Sequence, residues 1–87
     1  MYSRAELNQL RWRSRRGMLE LDLLLLPFFE EVFESLAPAR QQSFVRLLEQ
    51  DDPDLLLWFS QKGVSEDPAL QDLVDMILKR VQPNDAV

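Results

Sequence analysis

Asp67-Pro68-Ala69-Leu70-Gln71-Asp72-Leu73-Val74-Asp75-Met76-Ile77-Leu78-Lys79-Arg80-Val81 decides the fold class. Leu70, Leu73, Val74, Ile77, Leu78 and Val81 recur at i, i+3, i+4, i+7, i+8 and i+11. That spacing gathers apolar side chains on one face of an α-helix and nowhere else. Asp67 followed by Pro68 supplies an N-cap and a first helical residue, where proline's fixed φ and missing N–H cost nothing. The spacing therefore predicts an amphipathic helix over 68–81, with residues 83–87 fraying beyond it.

The same punctuation recurs upstream. Pro38, Pro53, Pro68 and Pro83 stand fifteen residues apart, and Asp52-Pro53 repeats the N-cap and N1 pattern. The intervening segments do not resemble one another, so the prolines mark helix starts and not a solenoid repeat. They predict a helix near 38–50 opened by Ala37-Pro38, and one near 53–61 closed by Gly63. Ser3 to Glu6 has the S-x-x-E form of a capping box and opens a first helix running to about Arg15. Leu7, Leu10 and Trp12 give that helix a narrow apolar stripe, so it is expected at the periphery. A second helix is expected from Met18 to Leu36, kinked or broken at Pro27. Leu23 to Leu26 sweep about 300° at about 100° per residue and cannot share one face, so the helix is either surrounded or partly exposed, and a central position is expected. Nothing alternates like a strand. The expectation is an all-α fold, a compact five-helix bundle, with residues 1–87 forming one small domain.

Composition narrows the chemistry. The chain contains no cysteine and no histidine. It therefore lacks disulfides, thiolate nucleophiles, the commonest general base and the commonest transition-metal ligand. Independent catalysis is not expected, and no metal site is expected. The Asp51-Asp52-Pro53-Asp54 cluster lacks calcium-loop spacing, and helix capping accounts for Asp52 and Asp54. The net charge of −5 is unevenly spread. Residues 1–17 hold five arginines against Glu6, and the remainder holds five basic and fourteen acidic side chains. Such polarity orients a molecule on a partner. The longest apolar run, Leu23 to Phe29, is too short to span a bilayer, so no membrane insertion is expected. The Arg-rich start runs directly into the fold and does not read as a cleaved leader, which leaves a cytoplasmic location as the simplest expectation.

Arg15-Arg16-Gly17-Met18-Leu19-Glu20 forms a corner between a basic segment and an apolar one. Gly17 is read as the left-handed residue that ends the first helix, with Arg15 and Arg16 at its negative end and Glu20 in the positive first turn of the next. The absence of a side chain at Gly17 also lets a partner approach the backbone closely. Leu55-Leu56-Leu57-Trp58-Phe59 is too wide an apolar run for one face of a short helix, so at least one member should reach the surface as an anchor.

Arg16-Gly17-Met18-Leu19-Glu20 resembles the RGxxE motif of the succinate dehydrogenase FAD assembly factors, also called flavinylation factors. The similarity continues through Leu21-Asp22 and Pro27-Phe28-Phe29-Glu30, then through Leu47-Leu48-Glu49 and Asp52-Pro53-Asp54-Leu55 with Trp58 following. The resemblance implies a five-helix fold and a non-enzymatic role. It implies that the chain binds the flavoprotein subunit of succinate dehydrogenase, with fumarate reductase as a second candidate. Binding would promote covalent attachment of FAD to a histidine of that subunit. FAD is then the partner's group, and no cofactor is expected to be held tightly by this chain, which has no glycine-rich dinucleotide loop. Partner-binding roles are implied for Arg16, Gly17 and Glu20, with Arg15, Met18 and Asp52 in support.

Two other readings stay open on the residues alone. One is a regulatory, antitoxin-like helical module that binds another protein. The other is nucleic-acid binding through the arginines with Trp12 and Tyr2, which the overall acidity and the missing reader motif disfavour. A monomer is expected, although surplus apolar side chains on the second and fourth helices permit self-association.

Overall fold

The computed structural model describes residues 2–81. Five α-helices follow in order: α1 Arg4–Arg13, α2 Leu19–Val32, α3 Pro38–Leu48, α4 Asp52–Phe59 and α5 Pro68–Val81. A 3-10 turn, Phe33–Ser35, extends α2, and no strand occurs among the described residues. The all-α, five-helix expectation is thus met. Residues 83–87, expected to fray, lie outside the described residues.

Helix α5 spans the range its periodicity predicts. Leu70, Leu73, Val74 and Ile77 are buried, and the helix packs on α3, α2 and α4. The Asp67 carboxylate accepts from the Ala69 N–H at 2.9 Å, so it caps the helix in the expected way. Arg46 on α3 also donates to Asp67. That bond, with the Ala69 N–H second, holds the Asp67 carboxyl below the usual aspartate range. At the other end of the chain the Ser3–Glu6 capping box is complete. The Glu6 N–H donates to Ser3 Oγ at 3.1 Å, and the Ser3 N–H donates to Glu6 Oε1 at 2.8 Å. Hydrogen bonding to Ser3 likewise lowers the Glu6 carboxyl.

The core is aromatic where α2, its 3-10 extension and α3 meet. Phe33 lies 5.1 Å from Phe29 and 5.5 Å from Phe44 between ring centroids, and Phe28 lies 5.7 Å from Phe44. Such tilted pairs add to the hydrophobic gain of burying large rings. Tyr2 closes the cluster from outside, 5.3 Å from Phe33. Surface ion pairs bridge the helices: Arg11 to Glu30, Arg40 to Asp72, and Arg80 to Glu31. Each is exposed enough to contribute only about 0–1 kcal/mol.

Four sequence expectations are corrected. Helix α1 stops at Arg13, earlier than Arg15: buried Ser14 is its C-cap, with its hydroxyl on the Leu10 carbonyl at 2.9 Å, and the chain leaves the helix there. Helix α2 begins at Leu19 and passes through Pro27 unbroken, ending at Val32 as the chain tightens into the 3-10 turn. It is central, in contact with α1, α4 and α5, yet not surrounded: Leu25 is buried while Leu23 is 61% exposed. Helix α4 is capped by Asp51, which moves Asp52 inside the helix. Gly63 does not close α4. Gln61 does, at φ 63°, with the Lys62 N–H donating to Leu57 O at 3.0 Å and the Gln61 N–H to Trp58 O at 3.1 Å. These two bonds make a Schellman ending with glutamine at the left-handed position. Gly63 serves close packing instead, since a Cβ there would meet Leu57 side-chain atoms at 2.8 Å.

Two predictions follow from these ends. Gln61→Gly relieves a strained backbone and should raise stability by about 1 kcal/mol, read as a higher melting temperature. The depressed Asp67 carboxyl stabilises the fold above the ordinary aspartate range, and this contribution is lost as pH falls through the folded value. In an NMR titration Arg46→Ala should move the Asp67 midpoint back up towards the ordinary range.

Candidate functional site

The corner between α1 and α2 is organised around Arg16. Its side chain is only 15% exposed and points inward. Nε donates to Asp52 Oδ1 at 2.8 Å, one terminal nitrogen donates to the carbonyl of Leu48 at 2.7 Å, and the other donates to that of Gln50 at 2.7 Å. A longer bond of 3.3 Å reaches the carbonyl of Arg13. Leu48 and Arg13 are the last residues of α3 and α1, so the cation sits at two negative helix ends. Asp52, inside the first turn of α4, completes the set. One planar guanidinium thereby fastens the end of α1, the α3–α4 junction and the start of α4. A lysine ammonium lacks the fork of donors needed for this.

The backbone of the corner is fixed from α2. The Arg16 N–H donates to Asp22 Oδ1 at 2.6 Å. Gly17 follows at φ 82°, in the left-handed region that glycine tolerates best. It does not end α1, which stopped at Arg13; it turns the linker into Met18, the N-cap of α2. A Cβ added at Gly17 would meet nothing within 4 Å, so the glycine faces open space. Glu20 lies exposed in the first turn of α2, as expected, and has no ion-pair partner among the described residues. Arg15 is exposed, its guanidinium 5.9 Å from the ring centroid of Trp12. Trp12 is 71% exposed and contributes little to the narrow stripe assigned to α1. Met18 is half-buried and packs against the core.

The six residues singled out by the sequence therefore separate into two groups. Gly17, Glu20 and Arg15 face solvent, with Met18 at their base. Arg16 and Asp52 face each other and hold the corner from behind. Sequence reasoning missed Asp22 as the acceptor that fixes the corner backbone, although it stands within the matched Leu21-Asp22 pair. It also missed the carbonyls of Leu48 and Gln50, since a main-chain acceptor leaves no trace in residue identity. The expectation that Leu55–Phe59 would surface somewhere is met at Leu57, which is 43% exposed. Phe59 is buried and Trp58 half-buried. The described residues include no group of three or more acidic, histidine or cysteine side chains placed to hold a metal ion. No described helix is long and apolar enough to cross a membrane.

Known proteins share this architecture. Residues 8–81 match the family described as "Flavinator of succinate dehydrogenase". The chain is 52% identical over 83 residues to the FAD assembly factor SdhE of Pseudomonas putida, covering 95% of this chain and 99% of that one. It is 51% identical to the protein of the same name from Aliivibrio fischeri, over 91% of this chain and 92% of that one. The solution structure of a UPF0350 protein superposes with a TM-score of 0.75 at 48% identity, covering 92% of this chain and 85% of that one. With the family match spanning both the Arg16 clasp and the exposed corner, the chain belongs to the succinate dehydrogenase flavinator family.

Proposed function

We propose that this chain is an assembly factor that binds the flavoprotein subunit of succinate dehydrogenase through the Gly17 corner and so promotes covalent attachment of FAD to that subunit. Family membership supports the activity. The site assignment rests on one observation: Gly17 opens onto empty space beside a free Glu20 carboxylate, on a corner held rigidly from within by Arg16. Rigid presentation limits the conformational freedom lost on docking.

The factor is not an enzyme. With neither histidine nor cysteine, it supplies no acceptor for the flavin and no conventional general base. FAD belongs to the partner, which also holds the residue that accepts it. This chain contributes position: Glu20 offers a carboxylate to a donor on the flavoprotein, Gly17 admits its backbone, and Arg15 with Met18 flank the contact. Holding the flavoprotein in one geometry favours its own intramolecular reaction. Arg16 and Asp52 act one step back, by keeping the corner in shape. Fumarate reductase as a second client, a monomeric state and a cytoplasmic location belong to the same proposal.

The two groups of residues should separate experimentally. In cells lacking the factor, covalent flavin is read as ultraviolet fluorescence of the denatured flavoprotein band. Wild type should restore it. Glu20→Ala should weaken flavoprotein binding by about tenfold or more, the value of one charge-assisted hydrogen bond, and leave the melting temperature unchanged. Gly17→Arg should abolish flavinylation while costing only about 1 kcal/mol of stability, because its side chain enters open space and only the backbone is strained. Arg16→Lys should instead lower stability by about 2 kcal/mol and flavinylation with it. Full flavinylation with Gly17→Arg would remove the corner from the interface, and equal fluorescence with and without the factor would remove the activity.

A further inference from the structure

We propose that the groove between α2 and α4 receives an apolar segment of the flavoprotein that carries an arginine or lysine at its edge. The inference rests on the reading of the corner above and extends the contact beyond it. The groove is lined by Glu20 and Leu24 from α2 and by Pro53, Leu56 and Leu57 from α4, with Phe59 beneath. Glu20 belongs to both the corner and the groove, so the two surfaces are continuous.

Helical geometry shows why this face is left without an intramolecular cover. At about 100° per residue, the Glu20–Leu24 row lies between the buried row of Leu21, Leu25 and Phe28 and an outer row of Leu19 and Leu23. Leu24 on the α2 wall and Leu56 on the α4 wall are half-buried, and Leu57 beside Leu56 is open to solvent. Leucines on both walls of one cleft mark an interaction surface more than scattered apolar residues do. Sequence wrote this surplus into the helices: neither Leu23–Leu26 nor Leu55–Phe59 fits on one buried face.

Charge selects the occupant. Among the described residues, Glu20 is the sole ionisable side chain lining the groove. A cationic side chain beside an apolar segment satisfies both features at once. A second copy of this chain fits less well, because its matching groove brings a second carboxylate and no cation to the contact. An anionic lipid surface would be repelled by the Glu20 carboxylate.

The test uses the intact factor and the immobilised flavoprotein subunit, titrated by biolayer interferometry. Leu57→Glu should weaken binding at least about tenfold, whereas Val64→Glu, at a more exposed apolar site elsewhere, should change it less than about twofold. Glu20→Lys should lose more affinity than Glu20→Gln, and the difference should shrink as salt is raised. A photo-cross-linking residue at position 57 should capture a flavoprotein peptide containing arginine or lysine within an apolar stretch. Leu57 also touches Gly63, so circular dichroism accompanies each variant; where Leu57→Glu is unfolded, Leu57→Ala carries the expectation in the same direction. Wild-type affinity for a folded Leu57→Glu or Leu57→Ala, with Gly17→Arg still defective, overturns the groove and leaves the corner standing. A variant that alters only self-association in light scattering also overturns it, by assigning the groove to a second copy. Failure of the wild-type chain to bind the flavoprotein instead defeats the underlying reading.

Discussion

A single guanidinium holds this fold together at its functional end. Arg16 reaches carbonyls at the ends of α1 and α3, a further carbonyl between α3 and α4, and a carboxylate in the first turn of α4. Apart from the Gln50 carbonyl, each of those acceptors is a group that a helix terminus leaves unsatisfied or a charge that a helix start favours. The aromatic core fixes how α2 and α3 meet, and the aliphatic face of α5 packs on both. Neither fixes where the short α4 begins, nor the path of the linker between α1 and α2. Arg16 does both, and Asp22 completes the work by gripping the linker's backbone.

This division explains how a five-residue motif serves structure and recognition together. Its arginine is consumed internally, its glycine turns the chain without adding bulk, and its glutamate remains available to a partner. An Arg and a Glu separated by three residues would ordinarily invite reading as a pair of like function. The structure gives them opposite orientations. The spacing works because Gly17 and the N-cap at Met18 redirect the chain between them, so that one side chain turns into the molecule and the other away from it.

Much of the fold was legible because the chain announces its helices locally. Proline after an N-cap residue opens α3 and α5, the Ser3–Glu6 box opens α1, and the period of apolar residues fixes α5 from end to end. Helix ends were read less well, for physical reasons that differ. Ser14 ends α1 with its hydroxyl on the preceding turn, yet Ser43 makes the same bond within α3 without ending it, so the residue type does not announce the stop. Gln61 occupies a left-handed position although a glycine stands two residues later, against the usual preference for glycine there. At the corner, residue types singled out the positions but not their orientations. Orientation there depends on main-chain acceptors more than thirty residues distant, and residue identity does not encode those.

The reach of the Arg16 clasp couples the corner to the entire folding reaction. Its partners at Leu48, Gln50 and Asp52 lie 32 to 36 residues further along the chain, so the clasp requires α3 and α4 to be in place. The proposed recognition surface is therefore a cooperative property of the chain, absent from any partly folded form in which α1 and α2 alone are present. Linkage makes the dependence mutual. A flavoprotein that engages the native corner and ignores the unfolded chain stabilises every helix of its assembly factor by mass action. An incompletely folded factor, in turn, has nothing to offer it.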